Sequence, residues 1–565
     1  MSVSRRTFLG MLGAGGAAAA LPPVFGSGHA GARTLPGPRS APTGTGNRYL
    51  EGLYAPVTEE VTAFDLPITG VLPPELDGRY LRNGPNPAGG VDPARYHWFV
   101  GDGMVHGIRL REGRAEWYRN RWVRSRSAAA ALGEEPAPGE HPDMGSWANT
   151  NVISHAGKTL AIIEGGGRPA ELTDELDTVR FTDLDGTLAH GFTAHPKRDP
   201  RTGQLHAANY WWMRPNVIDY TVVGADGRVV HQVDIPVPGN PMVHDCSITA
   251  TSMVLYDLPC TLSVPAALGG WPFPYRWDPA YGARLGVLPL GGAAEEVQWF
   301  EIEPCYVFHP INAFDDGPRV VIDVVRHPKM FATDFFGPNE GSPAIWRYVL
   351  DRSTGSAFGA PLDDRALEFP RVDERVIGRE HRYSWTVEVG LGDGGEVLWP
   401  GTALVRHDAR TGTSETRTFG PGRTVGEAIF VPRSSDAAED DGWYLALVHD
   451  AATDRSELVV IAGQDWLGEP VATVHLPARV PLGFHGSWVP APRGSEPPPS
   501  STTTTTTPSS SSTSTTTPSS SSTSTTSTTT TSAPTSTTTT TSVPSPPAAP
   551  AAPATAVRGT PRFTG

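Results

Sequence analysis

Four histidines, His195, His244, His309 and His485, stand in the segments AHPKRDP, MVHDCSIT, VFHPINAFD and GFHGSW. Each lies among β-branched or aromatic residues and turn formers, the composition of a strand end. The chain has 17 histidines, so these contexts, rather than residue type, single the four out. Four imidazoles around one octahedral divalent ion leave two open positions and the ion's full positive charge, with no thiolate or carboxylate ligand. Such a site suits Fe(II) and O2 better than a closed structural zinc site. The separations, about 49, 65 and 176 residues, are far too long for a zinc finger or a helix-borne HExxH pair. A ring of repeated units brings such distant residues together.

The elements that must position them read as strands. After residue 150 the chain is a series of short apolar runs, among them LAIIEG, RVVIDVVR, WYLALVHD and ELVVIAG, separated by Asp, Gly, Pro and Thr clusters, the rhythm of strands and turns. Long amphipathic helices are absent from this pattern. The turn D-x-x-T-G occurs at Asp199–Gly203, Asp351–Gly355 and Asp408–Gly412. The last two copies lie about 57 positions apart, a length compatible with one propeller blade. Asp and Gly favour hairpin turns in any β protein, so this pattern also leaves open a pair of β-sandwiches or a solenoid.

Motifs in a fixed order carry a resemblance. The four histidine segments, together with LRNGPNP (Leu81–Pro87), HWFVGDGMVHGIRL (His97–Leu110), NTNV (Asn149–Val152), ARLGVLP (Ala283–Pro289), EFPR (Glu368–Arg371) and EAIFVPR (Glu427–Arg433), resemble the carotenoid cleavage oxygenases, a family that includes retinoid isomerases and stilbene-cleaving enzymes. The resemblance runs from about Tyr49 to Pro490. It implies an all-β fold, a seven-bladed β-propeller with a helical and loop dome over the iron-bearing face.

It also implies roles. His195, His244, His309 and His485 would be the ligands of Fe(2+), with Glu164 supporting His244, Glu368 supporting His309, Glu427 supporting His485, and His195 left without a carboxylate. Each glutamate would accept the distal ring N–H and fix the tautomer. Thr150 matches the family threonine whose methyl group lies near one open iron position. The implied reaction is cleavage of a conjugated C=C bond by O2 with no organic cofactor, in accord with the lack of a Gly-rich nucleotide fingerprint after a strand. Stilbene-cleaving relatives carry a lysine before the glutamate that matches Glu164, where this chain has Ile163. A lipophilic polyene, a carotenoid or apocarotenoid, is therefore the expected substrate. Stilbene cleavage, polyene isomerisation on the same iron and a non-catalytic cell-surface propeller are the alternatives. Aromatic and proline residues between Leu258 and Pro289 are expected to line an apolar tunnel or to make peripheral membrane contact.

The rest bounds context. SRRTFLG (Ser4–Gly10), followed by an apolar Gly/Ala stretch, reads as a twin-arginine export signal over residues 1–30, with an extracellular or cell-envelope destination. A flexible linker is expected over 31–48, the oxygenase domain over 49–494 and a disordered Ser/Thr/Pro-rich tail over 495–565. A formal charge of -15 disfavours nucleic acid as a partner. The three cysteines, Cys246, Cys260 and Cys305, are too few for a disulfide framework. Cys246, two residues after a proposed ligand, reads first as a small buried apolar side chain and second as a competitor for the metal.

Overall fold

Runs such as RVVIDVVR are rich in β-branched residues that fit a pleated surface packed on both faces. In the computed structural model, which describes residues 44–141, 147–392 and 396–491, that run is the strand Arg319–Arg326, buried except at its ends. The expected export signal, the tail and most of the linker lie outside the described residues.

The strands make a succession of antiparallel sheets. Blade 1 contains Gly78–Pro85, Gly103–Arg111, Arg114–Trp122 and Thr62–Phe64, with the late strand Gly486–Pro490 on its inner edge. Blade 2 runs from Asn151–His155 to Thr178–Phe181, blade 3 from Lys197–Arg198 to Val229–Pro236, and blade 4 from Ser247–Ile248 to Gln298–Glu301. Blade 5 runs from Pro310–Asp316 to Ser356–Asp363, blade 6 from Leu367–Val372 to Thr413–Thr418, and blade 7 from Arg423–Pro432 to Ala472–His475. Blades 6 and 7 are joined by a single residue pair, Gly401 with Val425. This is the seven-bladed propeller expected from the sequence.

Closure is reciprocal. The early strand Ile68–Gly70 pairs with Ala472–His475 of blade 7, and the late strand Gly486–Pro490 pairs with Gly78–Pro85 of blade 1. Each end of the domain is thus sewn into the blade nearest the other end. The apolar core is correspondingly a ring. Leu81, Val105, Val152 and Ala161 join blades 1 and 2, whereas Ile162 and Leu205 join blades 2 and 3. A large cluster containing Tyr220, Leu255 and Ile322 spans blades 3 to 5, and Ile345 meets Leu367 between 5 and 6. Trp385 and Tyr444 link blades 6 and 7, and Leu445 with Ile108 closes 7 onto 1. Such burial stabilises by about 25 cal/mol per Å2, so the ring is held by every junction together.

All three D-x-x-T-G turns fold alike, the glycine N–H donating to the aspartate carbonyl and the glycine adopting positive φ, where a side chain would be strained. Asp351–Gly355 and Asp408–Gly412 join the third and fourth strands of blades 5 and 6, so their spacing is a true blade repeat. Asp199–Gly203 joins the first two strands of blade 3 instead.

Above one face, long connections make the dome, mostly as loops with short helices at Arg126–Leu132 and Val264–Leu268. Its N-terminal strap begins before the expected domain boundary. Asn47 is buried, caps Tyr49 N, and donates to the carbonyls of Pro93 and Tyr96.

Burial makes the propeller acid-sensitive. It pushes His106 down to about 3, and His206 and His407 to about 4. In the unfolded chain these groups titrate near the ordinary histidine value, so below it the unfolded state binds more protons. Their contribution is full above about pH 6.5 and is lost as pH falls towards the folded values, by about 1 kcal/mol per histidine per pH unit. Denaturant unfolding of metal-free protein at pH 7.5 and 5.5 is expected to show this loss before carboxylates begin to protonate.

Candidate metal centre

Every blade sends one residue to a common centre, at the start of or within its first strand. His485 precedes Gly486–Pro490 of blade 1, Thr150 precedes Asn151–His155 of blade 2, and His195 lies just ahead of Lys197–Arg198 of blade 3. His244 leads into blade 4 and His309 into blade 5, while Glu368 and Glu427 lie within the first strands of blades 6 and 7. Glu164 is added by blade 2, after its second strand. Neighbouring lead-ins are tied to one another: His485 N donates to Thr150 O, and Asn151 Nδ2 donates to Ala194 O.

The four imidazoles meet. One ring nitrogen from each of His195, His244, His309 and His485 lies within 4.8 Å of the others, and all four side chains are buried. His244 Nδ1 is 2.9 Å from Glu164, His309 Nδ1 is 2.6 Å from Glu368 and His485 Nδ1 is 2.9 Å from Glu427. These are the three pairs that the resemblance implies. Where Nδ1–H is donated to a carboxylate, as in His309 and His485, Nε2 is left as an unprotonated donor atom turned inward. His244 Nε2 and His309 Nε2 face each other at 3.3 Å, and His195 Nε2 is buried without a protein partner. Two facing lone pairs repel, and a buried polar atom without a partner is costly. A cation among them relieves both, so the residues present fit a divalent ion.

Three breaks in strand register aim these side chains. The pairing shifts between Pro310 and Asn312 just after His309, between Glu368 and Arg371, and between Val425 and Ala428 around Glu427. A bulge re-aims side chains that regular alternation would direct elsewhere. At the second, Phe369 has φ 49°, in the left-handed region unusual for a bulky residue. Its N–H donates to Glu368 Oε2 and its ring stacks on His309 at 5.5 Å. Backbone strain here holds the carboxylate in place.

The surroundings hold Glu368 and Glu427 ionised. Burial by itself would raise Glu368, but His309 and His327 outweigh it and keep the carboxyl well below the usual range. For Glu427, burial is outweighed by Arg371, His485 and Arg82. Burial pushes His485 down to about 3, against the pull of Glu427, and carries His195 well below the ordinary value. Both rings are therefore neutral and able to bind a metal.

Sequence reading missed several partners. His327, fully buried, shares Glu368 with His309 through a 2.9 Å contact to Oε1; its only local signal is a His-Pro pair like that of His309. Asp245, buried and paired with Lys197 at 2.8 Å, approaches His195 Nδ1 to 3.6 Å. That exceeds a hydrogen bond, and His195 has no direct carboxylate acceptor. Cys246 is a buried thiol pushed up to about 12 by burial, lying against the carbonyls of His195 and His206 and outside the ligand group. Thr150 Oγ1 donates to Asn149, which leaves the methyl as the group free to face the cavity it lines.

That cavity, about 900 Å3, lies on the dome side and reaches His244, His309 and His485. Aromatic rings dominate its wall, with Phe99, Phe273, Phe308, Phe369, Trp399 and Phe484 among them, and Ile163 stands beside Glu164. The segment from Leu258 to Pro289 contributes Phe273 and Tyr275 to it.

Glu427→Gln keeps size but removes the charge that holds His485. About 10- to 100-fold weaker metal retention is expected, measured as bound metal after dialysis against a graded chelator, with the exposed Glu301→Gln unchanged.

Comparison with known proteins agrees with the motif order. A family model described as Retinal pigment epithelial membrane protein matches residues 54–490. A carotenoid cleavage oxygenase from Mycobacterium tuberculosis is 46% identical over 494 residues, covering 79% of this chain and 98% of its own. The crystal structure of a Pseudomonas brassicacearum lignostilbene dioxygenase is similar at TM-score 0.71 and 29% identity, over 81% of this chain and all of that one. A cobalt-substituted Synechocystis ACO is similar at TM-score 0.69 and 27% identity, covering 77% and 97%. Shared sequence along the whole propeller, on a shared fold, means that the chain belongs to the family of that model, the carotenoid cleavage oxygenases.

Proposed function

We propose that the protein is a non-haem Fe(II) dioxygenase that cleaves one conjugated C=C bond of a carotenoid or apocarotenoid with O2. The observation that carries this reading is the direct opening of a buried four-imidazole cluster into an aromatic cavity. Held by His195, His244, His309 and His485, ferrous iron would supply the activation of O2 needed to cleave one double bond into two carbonyl fragments.

The protein's own residues do the rest. Neutral imidazoles leave the ion its charge, and Glu164, Glu368 and Glu427 hold their tautomers. The aromatic wall excludes water and takes the flat faces of a polyene. Thr150 presents a methyl group to the cavity and narrows the approach to the cluster. Ile163 offers no charge or hydrogen bond to a phenol, which favours a polyene over the stilbene class named for the Pseudomonas brassicacearum relative.

Peripheral membrane contact fits the same reading. Val264 and Leu268 on the short dome helix, and Leu391 and Leu398 flanking the hairpin that leads to Trp399, are exposed apolar side chains. A lipid-soluble substrate would pass from a bilayer into the cavity beside them. Among the described residues no helix is long and apolar enough to cross a membrane.

Export by the twin-arginine route completes the proposal. The supporting observation is that Cys246, Cys260 and Cys305 are all free and buried, so the fold needs no oxidising compartment and is compatible with folding before transport.

With iron loaded, carotenoids and apocarotenals under labelled O2 are expected to give paired, labelled carbonyl fragments by mass spectrometry, and His309→Ala is expected to give none. Turnover of stilbenes alone would overturn the substrate class. For localisation, Arg5→Lys with Arg6→Lys is expected to leave the protein in the cytoplasmic fraction, read by fractionation and immunoblot.

A further inference from the structure

The histidine cluster separates two cavities of opposite character. On the dome side lies the aromatic one; on the other side, along the propeller axis, lies a second of about 800 Å3 that reaches His195, His309 and His485. Its wall is polar. Lys197, Asp245, Asn312, Arg371, Glu374 and Glu427 line it, and only His309 and His485 are common to both cavities. This shaft continues outward into a vestibule of about 890 Å3, with Ile153, Pro196, Glu374, Ile377 and Ser487 lining both chambers. Those five residues form the neck.

We propose that this axial shaft is the route by which the divalent ion enters and leaves the site, while the dome cavity is reserved for the polyene. The proposal rests on the four-histidine metal assignment and adds a path to it. A hydrated dication in the aromatic cavity would lose its water before meeting a ligand, at high cost. In the shaft it meets Glu374 and Ser487 at the neck and Lys197, Asp245, Asn312 and Glu427 beyond it. The cations of the shaft are already paired: Lys197 with Asp245 at 2.8 Å, and Arg371 with Glu374 at 2.9 Å and Glu427 at 3.4 Å. Within the inner shaft three carboxylates face two cations, a surplus of negative charge next to the histidines that suits an incoming cation.

The route has a consequence for the reaction. An ion served from below can be exchanged without opening the dome, and the water that accompanies it never crosses the aromatic wall. Ile377 is the residue at the neck best suited to a test. It lies in the loop held by Asn312, whose Nδ2 donates to the carbonyls of Val376 and Arg379 and whose Oδ1 accepts from Gly378 N. It touches neither a ligand nor a supporting glutamate through any hydrogen bond.

The test uses full-length protein stripped of metal by a chelator and mixed rapidly with Co(2+), uptake being followed by the visible ligand-field absorption of the bound ion. Ile377→Trp is expected to slow uptake about tenfold or more with the same final stoichiometry, and Ile377→Ala to hasten it. Val100→Trp, on the wall of the dome cavity, is expected to take up cobalt at the unaltered rate while blocking the polyene. Unaltered uptake by Ile377→Trp, slowed uptake by Val100→Trp, or a rate unmoved or reduced by Ile377→Ala would each overturn the route. Failure of the unaltered protein to bind cobalt at equilibrium would instead overturn the metal assignment on which the route depends.

Discussion

Four imidazoles cannot hold themselves together around one point in a protein interior. Their lone pairs repel, and each ring is free to turn about two torsions. Here the turning is stopped by carboxylates: Glu368 and Glu427 accept Nδ1–H from His309 and His485, and Glu164 lies 2.9 Å from His244 Nδ1. The carboxylates are themselves buried and need partners, so a further layer surrounds them, His327 for Glu368 and Arg371 with Arg82 for Glu427. Polar groups in a low dielectric are stabilising only when the network is complete, and this network draws on all seven blades.

That dependence explains the architecture. A residue from each blade reaches the axis only if the ring closes, and closure rests on the exchange of strands between the two ends of the domain. Apolar clusters at successive junctions hold the ring, so a loosened junction is felt at the centre. The bulges at Glu368 and Glu427 are placed where a regular strand would misdirect the carboxylate. Phe369 combines strained backbone with a ring stacked on a ligand, coupling the shape of the cavity to the position of His309.

The two cavities divide the chemistry by polarity. An aromatic wall excludes water from the reacting double bond, and a shaft that carries charged groups lies below the same histidines. Placing the ion at the partition lets one cluster face an oily substrate on one side and hydrated groups on the other.

Much of this was legible in the sequence because it is locally encoded. Strand runs, hairpin turns and the blade-length spacing of Asp351–Gly355 and Asp408–Gly412 depend on neighbours a few residues apart. The four histidines stand in distinctive strand-end contexts, and the family resemblance paired them with their glutamates. The other Asp-Gly turn, at Asp199, shows the limit: the same local code serves a different place in a blade. Beyond the His-Pro pair it shares with His309, His327 carried no signal, and Asp245 carried none, since a buried histidine and a buried aspartate acquire meaning only from what lies across the ring. Residue types, strands and candidate ligands were thus determined by the sequence alone. Register shifts, the sharing of Glu368 and the separation of the two cavities were decided by tertiary structure, because each arises from contacts between blades far apart along the chain.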